Sequence, residues 1–360
     1  MTPSPPSPAP VSPAPSPASP ASPAVARTSP PAAPRGLSPA QTAARRRERR
    51  VLAVLALLAV AAVAGFCLIG LTGNWEYALG LRTRKIATMI VVGTAVACSS
   101  VLFQTVTGNR VLTPGVMGFD QLFVLVQTLV VFLFGALALS SADPRLLFAG
   151  QVAAMVLFAG ALYRLLFGRG GRDLYVLVLA GVVFGTLFGS LSSLASRLIN
   201  PNDFVVLQDS LFASFNQVDP DLLALSALLV AAAAVWTARL APRLDVVALG
   251  RDHALNLGVH HARVVNRVLV VVAVLVSVST ALVGPVTFLG LLVASLARQL
   301  TGTFRHGTVL PAAALLAVTV LVGGQLVLER VFTMDTALSV IINFAGGVHF
   351  IALLIRESRR

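Results

Sequence analysis

Hydrophobic residues run along this chain in long stretches separated by short polar gaps. Ten of these stretches approach the ~20 residues that a helix needs to cross the hydrocarbon core of a bilayer. They cover residues 51–71, 85–107, 115–139, 146–168, 174–199, 222–238, 265–283, 286–300, 308–328 and 336–356. None shows the alternating segments of ~10 residues that are typical of a membrane β-barrel. The pattern predicts an all-α polytopic membrane protein with about ten transmembrane helices.

The composition agrees with a chain that is mostly surrounded by lipid. Hydrophobic residues make up 56% of it and charged residues only 11%, with a mean hydropathy of +0.86, whereas a soluble domain is about 25% charged. The formal net charge of +13 raises the question of a nucleic-acid partner. However, the basic residues lie mainly in the short gaps, where the positive-inside rule places them in the cytoplasm. We interpret them as orientation signals and expect no binding of nucleic acid.

The first 44 residues have a different composition from the rest. They hold 14 of the 21 prolines and almost no large apolar side chains, so they cannot bury enough surface to fold. We expect a disordered Pro/Ala/Ser-rich cytoplasmic tail at 1–44 and a transmembrane domain at 45–360. The basic run 44–50 before the first apolar stretch also suits a signal peptide or a twin-arginine signal. Because that stretch continues to Leu71, an uncleaved first helix is favoured.

An even number of spans places both termini in the cytoplasm. The basic residues of the cytoplasmic connections are then Arg110, Arg164, Arg169, Arg172, those from Arg239 to Arg267, Arg298, Arg305, Arg356, Arg359 and Arg360. The outer connection at 200–221 is acidic. One basic cluster, Arg82 to Lys85, falls on the outside and needs another explanation.

The sequence has little that predicts catalysis. The phosphate-binding motif G-x-x-x-x-G-K-[ST] is absent, and the single lysine, Lys85, follows an arginine. The histidines, which we expect to be solvated or interfacial, are His253, His260, His261, His306 and His349. Neither they nor Cys67 and Cys98 have the spacing of metal ligands. We therefore expect no enzyme activity, no metal site and no cofactor on this chain.

Acidic residues inside the apolar stretches bear on the energy source. Asp120 and Asp335 are the main ones, and both lie near predicted span ends. Ion-coupled secondary transporters place ionisable groups near the membrane midplane. The energy for any transport is thus expected to come from elsewhere.

Two segments predict structure beyond simple spans. In the fifth span, Gly181, Gly185 and Gly189 recur at every fourth position, followed by Ser190, Ser192, Ser193 and Ser196. This spacing is typical either of close helix packing or of a polar pathway. As pathway-lining residues we predict Gly185, Gly189, Ser192 and Ser193.

The stretch GNRVLTPGVMGFDQ (108–121) interrupts two apolar runs with glycine, proline and polar residues. Irregular backbone at membrane depth is tolerated only where protein buries it or where it lines a watery cavity. The interruption is consistent with a gate, the alternative being an ordinary loop beyond the headgroups.

A short amphipathic helix is predicted on the cytoplasmic side, between the sixth and seventh spans. Gly250 and Gly258 bracket it, and leucines alternate there with charged residues. It would either lie on lipid or dock a soluble partner.

Three motifs in order resemble one family. The segments ALGRDHALNLGV (248–259) and GPVTFLGLLVASLARQLTG (284–302), together with the interruption at 108–121, are similar to signatures of the FecCD-type permeases of iron-siderophore and cobalamin ABC importers. The resemblance covers residues 50–356. The resemblance implies the type II ABC importer fold and a location in a bacterial cell membrane. It also implies three kinds of partner: ABC ATPase subunits that bind ATP and Mg, a second permease copy or sister subunit, and an extracytoplasmic substrate-binding lipoprotein.

The resemblance also implies roles for single residues. Within a coupling segment of about 244–263, the ATPase-coupling residues are Ala248, Leu249, Gly250, Ala254, Leu257, Gly258 and Val259. The gate residues are Asn109 and Val111, and those that dock the binding protein are Arg82, Lys85 and Arg330. Contact of the outer basic residues with lipid headgroups is the alternative.

Departures from the family pattern favour one branch. Arg84 stands where the family has proline in L-R-L-P-R, and Ala294-Ser295 stands where it has Pro-His. With DSLFASFNQ (209–217), these differences resemble the iron-siderophore branch and favour a ferric siderophore as substrate. A cobalamin or haem importer of the same fold and an ion-coupled secondary transporter are the alternatives.

Overall fold

The computed structural model describes residues 39–69, 75–167, 174–216, 218–331 and 338–358. Within these ranges every regular element is a helix, which confirms the all-α prediction. The helices are α1 (Pro39–Leu68), α2 (Trp75–Thr107), α3 (Phe119–Phe134), α4 (Ala136–Ser141), α5 (Pro144–Phe167), α6 (Leu174–Ser196), α7 (Pro201–Ser210), α8 (Pro220–Val247), α9 (Arg251–Asn256), α10 (His261–Val283), α11 (Leu289–Thr301), α12 (His306–Val331) and α13 (Leu338–Ser358).

The chain divides into two units, Met1–Ala43 and Ala44–Arg360. Most of the predicted tail, 1–38, lies outside the described residues. The last residues of that predicted tail, from Pro39, are part of α1.

Ten apolar helices follow one another in the predicted order. Seven of the described helices are long and apolar enough to cross a membrane: α1, α2, α5, α6, α8, α10 and α12. Shorter apolar helices, Phe119–Phe134, Leu289–Thr301 and Leu338–Ala352, stand where the third, eighth and tenth spans were predicted.

The helices at the third and eighth predicted spans, about 115–139 and 286–300, begin three to four residues later than predicted. α3 begins at Phe119 and ends at Phe134, and α11 begins at Leu289 and has 13 residues. At 1.5 Å per residue α11 is about 20 Å long, shorter than the ~30 Å hydrocarbon core. Irregular backbone precedes both helices, so each crosses only part of the bilayer as a helix.

Helix α2 forms the centre of the bundle. It packs against α8, α10, α11 and α12, and 72% of its most apolar stretch is buried, compared with 17% for α1 and for α6. Small residues let its neighbours approach closely, since a methyl group on Gly93 would lie 3.3 Å from the Cβ of Ala317 in α12. The exposed faces of α1 and α6 are left for lipid or for another protein.

The interruption after α2 folds back into the bundle. Pro114–Met117 form a 3₁₀ turn, and a cavity of about 30 Å³ lies between Thr113–Gly115, residues 92–100 of α2 and the end of α10. Residues 92–100 precede the end of α2 at Thr107, so the chain has returned about 10–20 Å along α2 before α3 begins. α3 is short because it starts inside the membrane-spanning part of the protein.

Backbone-to-backbone contacts hold this returning segment against α6. Gly118 has a φ of +88°, and a Cβ there would lie 3.0 Å from the amide nitrogen of Gly185. At Gly181 a Cβ would lie 2.7 Å from the Cα of Met117. Protein therefore covers the irregular backbone at this depth, as the hydrocarbon environment requires.

We expect Gly181→Ala to destabilise this packing. The new methyl group would press against the backbone of Met117, and overpacking of this kind costs about 1–3 kcal/mol. The thermal unfolding midpoint in detergent should fall. Gly160→Ala is the matched control, because Gly160 is also helical and nothing lies within 4 Å of its added Cβ. Equal unfolding midpoints for the two variants would contradict the packing described for α6.

Candidate functional site

The coupling segment contains a short helix between two glycines. α8 ends at Val247, and α9 spans Arg251–Asn256. Gly250 and Gly258 have φ of +100° and +76°, and nothing lies within 4 Å of a Cβ added to either. Glycine is thus favoured here by the left-handed backbone conformation and not by lack of space.

A hydrogen-bonded cap ends α9. The N–H of Gly258 donates to the carbonyl oxygen of Leu255 at 3.0 Å, and the N–H of Val259 donates to that of Ala254 at 2.9 Å. This pair of bonds is the Schellman motif, which satisfies the last carbonyls of a helix. The motif makes α9 and the turn that follows it one compact element.

The coupling segment is anchored on one side and exposed on the other. Ala254 is fully buried, whereas Leu249, Leu255 and Leu257 are 59%, 52% and 62% exposed. Among the other predicted coupling residues, Ala248, Gly250 and Gly258 are exposed and Val259 is half-buried. Three exposed leucines on one short element form an apolar patch suited to contact with another protein.

The predicted gate residues lie at the start of the returning segment. The side-chain Oδ1 of Asn109 accepts a hydrogen bond from the N–H of Val111 at 2.9 Å, which tightens the turn. Asn109 is exposed and Val111 half-buried, whereas Thr113, Pro114 and Met117 are buried. The two residues therefore stand where the segment enters the bundle, and their role as a gate stays a prediction.

The four predicted pathway residues divide between two faces of α6. Gly185 is buried against Gly118, and the Ser192 and Thr128 hydroxyls lie 2.7 Å apart in the contact with α3. Gly189 lies at the edge of this contact, where an added Cβ would be 3.1 Å from Gln121 Oε1.

Ser193 points to the other face and is exposed. It lines an open groove of about 680 Å³ on α6, which we call the α6 groove. The lining residues are Gln121, Gly185, Thr186, Gly189, Ser190, Ser193, Leu194 and Arg197. A second groove of about 600 Å³ shares Ser193 and Arg197 and also contains Ser192. Hydroxyl groups and one guanidinium thus follow a helix whose other exposed residues are mainly apolar.

One polar contact near the returning segment was not predicted. The hydroxyl of Thr287 donates to Asp120 Oδ2 at 3.1 Å, and Gly115 leaves room for that carboxylate, since a Cβ there would lie 2.6 Å from it. Asp120 lies near the end of a helix, as predicted, one residue after the start of α3. In the sequence, the available signal for this contact was the polar pair Asp120 and Gln121 shortly after Gly118. Asp335 lies outside the described residues.

The outer basic cluster has partners inside the protein. Arg82 donates to the carbonyl oxygens of Phe66, Cys67 and Ile69 at 3.0, 3.0 and 2.9 Å, and Arg330 donates to that of Ile69 at 2.5 Å. Both therefore cap the end of α1, where free carbonyls and the helix dipole attract a cation.

Lys85 forms a second link at this outer end. Its Nζ lies 2.5 Å from Glu329 Oε1 of α12, with 15% and 18% of the two side chains exposed. These contacts give the basic residues of the cluster partners within the protein. Docking of a binding protein by Arg82, Lys85 and Arg330 stays a prediction.

Two of the histidines, which were predicted to be solvated or interfacial, have partners inside the protein. His306 is only 4% exposed and lies between Asp245 and Thr105. His349 Nε2 is 2.7 Å from the hydroxyl oxygen of Ser295, so it links α13 to α11. Across the described ranges, no group of three or more His, Cys, Asp or Glu residues could hold a metal ion.

We expect Arg82→Gln to weaken the end of α1. Glutamine is shorter than arginine and carries no positive charge, so it cannot donate to the same carbonyl oxygens or interact as favourably with the helix dipole. The free energy of unfolding should therefore fall by about 1 kcal/mol. Differential scanning fluorimetry of the detergent-purified protein measures the change. The control is Arg84→Gln, since Arg84 is exposed on the same helix. If both variants unfold at the wild-type temperature, the cap contributes nothing.

Comparison with solved structures supports the fold. A metal-chelate type ABC transporter in an inward-facing conformation superposes with a TM-score of 0.73 at 22% identity, covering 86% of this chain and 99% of that one. At this identity the likeness concerns the fold alone, and it confirms the predicted ABC importer permease architecture.

Comparison with curated proteins gives closer relatives. The petrobactin import system permease protein YclO of Bacillus subtilis (strain 168) is 48% identical over 287 residues, covering 80% of this chain and 91% of that protein. The petrobactin import system permease protein FatC of Bacillus anthracis is 36% identical over 276 residues, covering 77% and 78%. Residues 51–356 match the FecCD transport family, which confirms the resemblance found in the three motifs. The chain belongs to the FecCD transport family.

Proposed function

We propose that this chain is the membrane-spanning subunit of an ABC importer that carries a ferric siderophore into the cytoplasm. Separate ATPase subunits drive it, and an extracytoplasmic binding lipoprotein delivers the substrate. The observation that carries the proposal is the coupling segment, in which Leu255 of α9 and the flanking Leu249 and Leu257 are exposed and a hydrogen-bonded cap ends the helix. The sequence has no phosphate-binding motif of its own, so the energy must enter through such a contact.

The shape of the coupling segment suits transmission of force. Only three residues, Ala248 to Gly250, separate α8 from α9, and the N–H groups of all three donate to the last carbonyls of α8. If closure of the ATPase pair moved α9, the short hydrogen-bonded connection would therefore move the end of α8 with it. ATP binding then favours one state of the bundle over the other by acting differently on the two states.

The α6 groove supports the location of the substrate path. It is open on one side in a single chain, as expected of half a channel that a second permease completes. Thr186, Ser190 and Ser193 offer weak hydrogen bonds along it, and Arg197 adds a positive charge. These groups suit passage of a polar chelate that carries negative charge. Whether the second permease is identical or a sister chain is left to experiment.

The relatives support the choice of substrate class. The two described above are named as petrobactin import permeases, and the ferric enterobactin permease FepG of Escherichia coli (strain K12) is 27% identical. We place the protein in a bacterial cell membrane with both termini in the cytoplasm, as the distribution of arginines predicts. ATP and Mg bind to the partner ATPase in this scheme.

Gly258→Leu should uncouple the importer. The side chain both strains a backbone with φ of +76° and projects from the surface that meets the ATPase. In proteoliposomes holding the permease, its ATPase and its binding protein, ATP-dependent uptake of a radiolabelled ferric siderophore should fall about tenfold while the protein stays inserted.

Gly302→Leu is the matched control for this experiment. Gly302 also has a positive φ, +61°, and caps α11 outside the coupling segment. Loss of uptake in both variants would point to strain alone. Uptake by the wild-type permease without its ATPase, abolished by an ionophore, would instead support a secondary transporter. If cobalamin or haemin competed with the ferric siderophore for uptake, the substrate would be assigned to that class instead.

Ser193→Phe should narrow the substrate path. The ring would fill part of the α6 groove, so uptake should fall about tenfold while ATP hydrolysis by the assembled complex persists. Leu191→Phe is the control, because Leu191 is exposed on the same helix but does not line the groove. Equal uptake by the two variants would remove the groove from the path.

A further inference from the structure

Three helix ends meet at the imidazole ring of His306, the first residue of α12. Asp245 Oδ1 lies 2.6 Å from the ring Nδ1 and accepts the backbone N–H of His306 at 2.8 Å. On the other side of the ring, Nε2 lies 2.7 Å from Thr105 Oγ1. One side chain thus joins α8, α12 and α2 at one end of the bundle.

The imidazole end of this contact is buried, whereas its carboxylate end is partly exposed. His306 is 4% exposed, and 38% of the Asp245 side chain is exposed. An ionised Asp245 can only accept, so Nδ1 carries the hydrogen that it shares with this carboxylate. Thr105 Oγ1 also lies 2.8 Å from the carbonyl oxygen of Val101, so its single hydrogen is shared between that carbonyl and His306 Nε2. On the buried side of the ring, the low local dielectric constant strengthens such hydrogen bonds.

Each partner lies next to a functional segment. Asp245 precedes Ala248, the first residue after α8, by three positions and thus stands just ahead of α9. Thr105 lies two residues before the end of α2 and four before Asn109, the first predicted gate residue. His306 therefore connects the base of the coupling segment to the base of the returning segment, although these are far apart in the sequence.

Further contacts surround the end of α2 and the residues that follow it. Arg298 of α11 donates to Gln104 Oε1 at 2.5 Å, next to Thr105, and Arg110 lies over the ring of Phe304 at 5.0 Å. Arg298 and Asp245 are the charged groups whose electrostatic effect reaches His306. A displacement of Asp245 would act on His306 and, through the ring, on Thr105 at the end of α2.

We propose that the Asp245–His306–Thr105 contact is the link through which movement of the coupling segment reaches the gate at residues 108–118. His306 is a positioning residue in this scheme and does not touch the substrate. The inference rests on the proposed function, because it assumes that an ATPase moves α9. It adds a defined physical connection between the site where force enters and the site where the path opens.

The test measures ATP hydrolysis and ferric siderophore uptake in the same proteoliposomes, with the permease, its ATPase and its binding protein assembled. The variants are His306→Ala and Thr105→Val. For each, ATP hydrolysis should persist, while the uptake per ATP hydrolysed should fall about fivefold or more. The double variant should be no worse than the worse single variant, because both break one linkage.

Thr107→Val is the matched control. Thr107 lies on the same helix end, and its hydroxyl lies 2.8 Å from the carbonyl oxygen of Phe103 in its own helix. Its uptake per ATP should match the wild type. Co-purification of the ATPase with each variant shows whether the complex is assembled.

The outcomes distinguish failure of the proposed link from failure of the proposed function. If wild-type uptake requires ATP but His306→Ala and Thr105→Val lower hydrolysis and uptake in proportion, the contact is structural only and the link is overturned. The same holds if the ratio in both variants equals that of Thr107→Val. If the wild-type complex shows no ATP-dependent uptake, the proposed function itself fails. A reduced ratio confined to the link variants supports the proposal.

Discussion

Backbone polar groups within hydrocarbon must find partners inside the protein, and this constraint shapes the whole bundle. Regular helices satisfy it alone, whereas the segment between α2 and α3 cannot. It is therefore pressed against α6, with Gly118 on Gly185 and Met117 on Gly181. The same constraint explains why α2 is so deeply buried, since the returning segment needs a central helix to lie along. A path that opens and closes must do so without exposing this backbone to lipid.

The coupling segment and the interior of the bundle differ in chemistry. The coupling segment exposes three leucines beside a capped turn, and apolar surface of this kind releases water when a partner covers it. Inside, the connections are polar and directional, as in the contacts of His306 with Asp245 and Thr105. Directional bonds have discrete arrangements, so they favour two-state movement over gradual deformation. An apolar contact for docking and a polar link for transmission are a physically consistent pair.

The sequence predicted those features that depend on local pattern. Apolar length gave ten helices in the right order, and the left-handed glycines Gly250 and Gly258 marked the ends of α9. Contacts between distant residues left no such pattern. Lys85 and Glu329 are 244 positions apart, and Thr105 and His306 are 201 positions apart, so neither pairing could be read from spacing. The start of α3 was misplaced for a related reason, since residues 115–117 are apolar enough to continue a span but turn back against α6.

Helix α6 combines close packing on one face with a polar groove on the neighbouring face. With 3.6 residues per turn, positions 181, 185 and 189 share a face that approaches α3 and the returning segment, while positions 186, 190, 193 and 197 share the neighbouring face. The glycines bring the backbone close to its neighbours, and that close approach places Gln121 beside the hydroxyls of the groove. Removing the small residues would widen the separation between α6 and α3 and change the groove itself. Packing on one face of α6 is thus the condition for a polar groove on the other.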